Sequence, residues 1–197
     1  MTKRGEEHNT MTCLTVGIFL LSLSVLTFEI TLTRLLSIVI SYHYVFAVVS
    51  LTLLGLGSGG VAVQRLASNA YYRSLGPKVL SWWSVVVAVT MVISAVLVVE
   101  IGTIDAVREK LLIYAVLLFV PFFSAGCLLS DAFHRYSGYV SALYGADLLG
   151  AGLGCCLVVI ALSLMSSITA AFLAAVFASA SAVFFAAHAR YYVRHER

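Results

Sequence analysis

The sequence predicts an all-α, polytopic membrane bundle of six transmembrane helices, and three observations carry that prediction. Hydrophobic residues make up 61% of the 197 and charged residues 11%, with a mean hydropathy of +1.03. Such a composition is too apolar for a soluble domain of this length. Six stretches, at about 12–40, 44–66, 79–100, 111–132, 139–163 and 167–189, approach or exceed the roughly 20 apolar residues needed to cross a hydrocarbon core. The intervening charges are then strongly one-sided. Lys3, Arg4, Arg65, Arg73, Lys78, Arg135, Arg190, Arg194 and Arg197 fall on one side, and only Arg108 and Lys110 on the other, beside Glu100, Asp105 and Glu109. Because short basic loops resist translocation, both termini are expected to be cytoplasmic. Residues 1–11 then form an N-terminal tail, 12–189 the bundle and 190–197 a C-terminal tail. Tyr71, Tyr72, Trp82, Trp83, Tyr136, Tyr139, Tyr191 and Tyr192 mark the inner boundary and Tyr42, Tyr44 and Tyr114 the outer one, as interfacial aromatic belts do.

Span 1 follows Met1-Thr2-Lys3-Arg4 and is too long for a secretory signal; no small-x-small cleavage site closes it, so it is expected to stay as an uncleaved helix. Its outer half carries Glu29 and Arg34. Five residues correspond to about 500° of helical rotation, so the two project roughly 140° apart and do not pair on one face. Either the helix is broken or tilted there, or each charge seeks another helix, or Arg34 reaches the headgroups while Glu29 bonds a nearby hydroxyl.

Span 2 contains Gly55-Leu56-Gly57-Ser58-Gly59-Gly60. This is no dinucleotide fingerprint, which joins a strand to a helix. Gly55 and Gly59 instead have the small-xxx-small spacing that lets helix backbones approach closely; the alternative is an unwound segment beside a solute path. In span 4, Asp131 lies near enough to the inner boundary to reach water. Span 5 holds Asp147 about 12 Å along its helix, where a carboxylate needs a protein partner or water; a polar group on span 1 or span 4, Arg34 among them, is expected to face it. Gly150 and Gly154 repeat the small-residue spacing. Spans 2 and 5 are therefore expected at the centre, and a leucine is expected to cost more at Gly150 than at Ala174 of span 6.

Leu53-Leu54-Gly55-Leu56-Gly57 in span 2 matches Leu148-Leu149-Gly150-Ala151-Gly152 in span 5 three spans later. That is the arithmetic of a 3+3 inverted repeat.

Other chemistries have little support. Cys13, Cys127, Cys155 and Cys156 lie inside spans without metal-ligand spacing, and His8, His43, His134, His188 and His195 include no i, i+4 pair. No P-loop is present, and loops too short to fold around a substrate carry no Ser-His-Asp set. No metal or other cofactor is expected. The net charge of +3 is explained by the basic loops, with anionic lipid headgroups of the bilayer, not nucleic acid, as partner.

The order Glu29-x-x-x-Thr33-Arg34-Leu35-Leu36-Ser37, Tyr42-His43-Tyr44, Leu53-Leu54-Gly55-Leu56-Gly57, Pro121-Phe122-Phe123-Ser124 and Leu143-Tyr144-x-Ala146-Asp147-Leu148-Leu149-Gly150-Ala151 resembles the membrane half of bacterial integral-membrane spermidine synthase-like proteins. In those proteins a major-facilitator-like membrane region is fused to a synthase domain. The resemblance covers about residues 14–189 and implies a bacterial inner-membrane protein. It also implies a cytoplasmic aminopropyltransferase domain, none of whose catalytic positions occurs among these 197 residues, so these residues are not expected to catalyse alone. Glu29, Arg34, His43, Tyr144 and Asp147 form the candidate intramembrane polar site, and Gly55, Gly59, Gly150 and Gly154 the candidate packing set. Two functions follow as expectations. One is a membrane anchor or partner-binding module for a cytoplasmic synthase-like domain or subunit. The other is a carrier or channel for a small cation such as a polyamine, which with six spans requires a homodimer.

Overall fold

The structure is a computed structural model that describes residues 2–39, 45–102 and 107–195. It is all-helical. The elements are α1 (Thr2–Val39), α2 (Val45–Leu66), a short α3 (Ala70–Ser74), α4 (Lys78–Gly102), α5 (Val107–Arg135), a 3-10 turn (Ser137–Tyr139), α6 (Val140–Leu164) and α7 (Ser167–His195). All but α3 and the turn are long and apolar enough to cross a bilayer, and the chain is a multi-pass membrane protein.

The helices pack in the order α2, α5, α4, α7, α1, α6, with α1 also touching α2, α4 and α5. The expected centre is wrong. Only 28% of the apolar window of α2 and 22% of that of α6 is buried, against 56% for α1 and 50% for α5. Glycine stripes made α2 and α6 look central, but each stripe serves one close neighbour and leaves the remaining faces free. The crowded seam runs instead along α7, whose Ala170, Ala171, Ala174, Ala175, Ala178 and Ala182 are buried between α1 and α4. Ala174 is fully buried, so a leucine there would be crowded as well and is no neutral control for Gly150.

Lipid supplies no hydrophobic drive between helices, so close packing and side-chain hydrogen bonds hold such bundles together. Here short hydroxyls donate to carbonyls of neighbouring helices: Ser24 to Ala174 at 2.7 Å, Ser84 to Ala178 at 3.0 Å and Ser81 to Ala182 at 3.3 Å. Pro121 inside α5 explains a fourth bond. Proline has no N–H to offer the carbonyl four residues back, and that carbonyl, Leu117, receives the Ser94 hydroxyl of α4 at 2.6 Å.

The glycine run of α2 is ordinary helix, not an unwound segment. Gly55 lies against Phe119, Phe122 and Phe123 of α5, and Gly59 against Phe123 and Cys127. On α6, Gly150 meets the Phe19 carbonyl of α1, and Gly154 meets Leu23 and Thr27. At Gly55 and Gly154 an added Cβ would lie 2.9 Å from Phe122 Cβ and 2.7 Å from Leu23 O. α1 likewise runs unbroken past Glu29 and Arg34 to Val39.

Candidate functional site

The predicted polar residues are spread along one seam and do not meet at a point. Asp147 on α6 is half-buried and accepts a hydrogen bond from the Ser22 hydroxyl of α1. Further along the seam, Thr27 donates to Gly154 O at 3.4 Å and Arg34 Nη1 to Leu162 O at 3.0 Å. Leu162 lies in the last turn of α6, where unpaired carbonyls and the negative end of the helix dipole favour a cation. Arg34 therefore caps α6 and does not pair with Asp147, which is fifteen residues, about 22 Å of helix, before Leu162.

Glu29 is half-buried, two helical turns or about 10 Å beyond Ser22 on the same side of α1. It makes no hydrogen bond among the described residues, in contrast to the expected bond to a nearby hydroxyl. Tyr144, one turn before Asp147 on α6, is 55% exposed. His43 lies outside the described residues.

A more compact polar group occupies the end of the bundle that carries Thr10, Arg65, Arg73, Lys78, Arg135 and Arg190, here called the basic end. It is built on the last turn of α5. Asp131 was expected to reach water; instead it is 1% exposed, enclosed by α5's own end and the segment containing α3. Four residues on, Arg135 Nε donates to Asp131 Oδ2 at 2.7 Å, the geometry in which an i, i+4 pair meets on a helix. Arg135 also reaches the Tyr72 carbonyl at 3.5 Å and lies with Cζ 5.5 Å from the centre of the Tyr72 ring, within cation–π range. Trp83 Nε1 donates to the Tyr72 hydroxyl at 3.2 Å. Burial pushes the Tyr72 phenol above its ordinary range and keeps it protonated.

Local sequence explains how α3 comes to close this end. Asn69 caps α3 by accepting from Tyr71 N at 3.0 Å, an ordinary N-cap bond. Gly76, at φ +60°, then turns the chain, in a conformation that glycine adopts without strain, and Pro77 leads into α4. The result is a cavity of about 630 Å³ lined by Tyr72, Arg73, Asp131, His134, Arg135 and Tyr136 among others.

Beside it, fully buried His188 of α7 joins three elements. Its Nδ1 donates to Thr10 O of α1 at 2.8 Å, because a carbonyl only accepts. In the neutral ring Nε2 is then the acceptor, and the Tyr136 hydroxyl donates to it at 2.6 Å. Tyr72 and Trp83 thus serve the Asp131–Arg135 group, and Tyr136 the His188 group, and not a lipid belt. Tyr114, expected at the outer belt, is also buried and donates to Val98 O at 3.4 Å. Exposed Tyr71, Trp82, Tyr139 and Tyr191 remain at the boundary.

The i, i+4 spacing of Asp131 and Arg135 was visible in the sequence. The burial that makes the pair consequential depends on α3, a five-residue helix with no periodic signal. No protein family model, curated protein or solved structure matches the chain.

Proposed function

We propose that the chain is an integral membrane module of a bacterial inner membrane that anchors or docks a cytoplasmic enzyme subunit and is not catalytic alone. The observation that carries this reading is where the recognition groups lie. Arg34 and Asp147 are turned to a helix end and a helix hydroxyl, whereas the basic end offers an open polar cleft beside the last turns of α7. With the basic end cytoplasmic, as its charges favour, a partner would meet Tyr71, Arg73 and Arg190, all exposed. The resemblance to synthase-like membrane halves makes an aminopropyltransferase the partner to try first.

A photo-crosslinker at Tyr71 tests this reading. A discrete cytoplasmic adduct is expected, weakened when Arg190, Arg194 and Arg197 become Ala, and absent with the crosslinker at Leu164 of the opposite end. Equal adducts at both ends would refute it.

A carrier of small cations, acting as a homodimer, is the second reading, and the α1–α6 seam favours it. Asp147 and Glu29, which makes no hydrogen bond among the described residues, lie on that seam, and α6 is held almost entirely by α1, an arrangement open to movement. An inverted repeat fits either reading. Its support is a correspondence of contacts: Gly55 and Gly59 of α2 sit on Phe119 and Phe123 of α5, as Gly150 and Gly154 of α6 sit on Phe19 and Leu23 of α1. Likewise α4 packs on α5 as α7 packs on α1, and α4 packs on α7.

A further inference from the structure

α3 is fastened to the bundle by one residue. Tyr72 alone of Ala70–Ser74 is buried, and among the described residues the hydrogen bonds that join α3 to spanning helices are all its own. Its carbonyl accepts from Arg135 Nη2 at 3.5 Å and its hydroxyl from Trp83 Nε1 at 3.2 Å. The same hydroxyl stands beside Arg135 as a second donor to the Asp131 carboxylate, and the Arg135 guanidinium lies over the Tyr72 ring. All of these contacts go together when Tyr72 withdraws.

The segment is otherwise self-contained. Tyr71 N donates to Asn69 Oδ1, Arg73 N to Asn69 O and Gly76 N to Arg73 O, so residues 69–76 can swing as one piece with their own backbone bonds intact. Their two ends suit such a swing. Asn69 is extended, and Gly76, at φ +60°, has open space where a side chain would be; a few residues at the ends of an element are what absorb a hinge motion. What the segment covers favours opening. Asp131, 1% exposed, is held there in an ion pair with Arg135, and a buried pair forfeits hydration that its own attraction only partly returns. Water reaching the pair therefore offsets the loss of the Tyr72 contacts, and a cover with so few fastenings belongs to the low-stability end of the fold.

We propose that residues 69–76 form a hinged lid, latched by Tyr72 and closed in this structure, whose opening admits water to the Asp131–Arg135 pair from the basic end. The lid rests on the contacts of α3 alone and not on the partner-docking reading.

The test follows the Asp131 carboxyl in the purified full chain in detergent, using a water-soluble carbodiimide and glycine ethyl ester, which couple to carboxyls that water reaches, with the product read by peptide mass spectrometry. Ser74 and His134 are both exposed and line the same cavity, one on the lid and one on the end of α5. In a background without native cysteines, Ser74→Cys with His134→Cys is bridged by a short bis-maleimide, and the same variant with each thiol capped by N-ethylmaleimide is the control. The capped protein is expected to be labelled at Asp131 and the bridged one about tenfold less, a factor that corresponds to about 1.4 kcal/mol. Tyr72→Phe, which keeps the ring and loses the hydroxyl, should raise labelling at Asp131 and leave Asp147 of α6 unchanged. No labelling of Asp131 in the capped protein, or equal labelling with and without the bridge, overturns the lid; a rise at Asp147 matching that at Asp131 overturns Tyr72 as its latch.

Discussion

Gly57 and Gly59 occupy the same helix two residues apart and meet opposite surroundings, so alanine at each separates packing from helix propensity. At Gly57 an added Cβ meets nothing within 4 Å. At Gly59 it meets the Phe123 carbonyl and lies 2.7 Å from Cys127 N, about 0.7 Å short of the 3.4 Å at which ordinary contact begins. Both obstacles are backbone and cannot rotate away, so α2 and α5 must separate. A gap of 0.5–1 Å forfeits roughly a quarter to a half of each dispersion contact along a seam, and overpacking of this kind costs about 1–3 kcal/mol. The bond from Cys127 Sγ to Gly59 O, at 3.5 Å, would weaken as well. The gain in helix propensity from Gly to Ala is shared by both variants and cancels in their difference. Unfolding in detergent, followed by loss of helical circular dichroism, should therefore place Gly59→Ala about 1–3 kcal/mol below Gly57→Ala. Equal stability, or the reverse order, would refute the close-approach account of the α2–α5 seam. On α6 the same comparison contrasts Gly150, against the Phe19 carbonyl, with Gly152 in open space, and the same order is expected.

Arg135→Gln should cost about 3–5 kcal/mol by leaving the buried Asp131 carboxylate without its cation, and adding Asp131→Asn should recover much of the loss; failure of the second substitution to help would mean that the ion pair is not what matters. Ser22→Ala removes a hydrogen bond to a carboxylate and should cost about 1.5–3 kcal/mol, whereas Asp147→Leu removes the charge together with its need for a donor and should be milder, an order that thermal unfolding of the two variants reads directly. In a background without native cysteines, Ser74→Cys and Ser166→Cys should react with impermeant reagent from opposite faces of the membrane, and from the cytoplasm only Ser74→Cys; labelling from one face would overturn the six-span topology.

The number of spans and their approximate extents were legible because each is a long apolar run closed by charge or turn residues, and a helix is what satisfies its own backbone in a bilayer; the start of α1 was not, since the helix runs from Thr2 through the residues expected to form a tail. Their arrangement was less legible. Glycine stripes report that a close neighbour exists, yet Gly59 on α5 and Gly150 on α1 give no hint in sequence that α2 and α6 are otherwise peripheral. Ala174 and its neighbours on α7 build the more crowded seam from a residue too common in membrane helices to stand out. Asp147 was expected to need a polar partner on span 1 or span 4, because a mid-span carboxylate has few alternatives; the partner is Ser22 of span 1 and not Arg34. Asp131 was misread for the opposite reason: its depth allowed solvent, and only the fold of Asn69 to Pro77 over it removes that access. His188 was passed over as a boundary residue, since its partners, Thr10 O and Tyr136, are 178 and 52 residues away.

Uptake by the purified protein in sealed liposomes tests the central claim most directly, because a module that recognises its partner at the basic end has no need to move solute. With labelled spermidine outside, the account predicts no accumulation above that of protein-free liposomes, and no change on Asp147→Asn or Glu29→Gln. Saturable uptake abolished by either substitution would contradict it and make the α1–α6 seam a cation path.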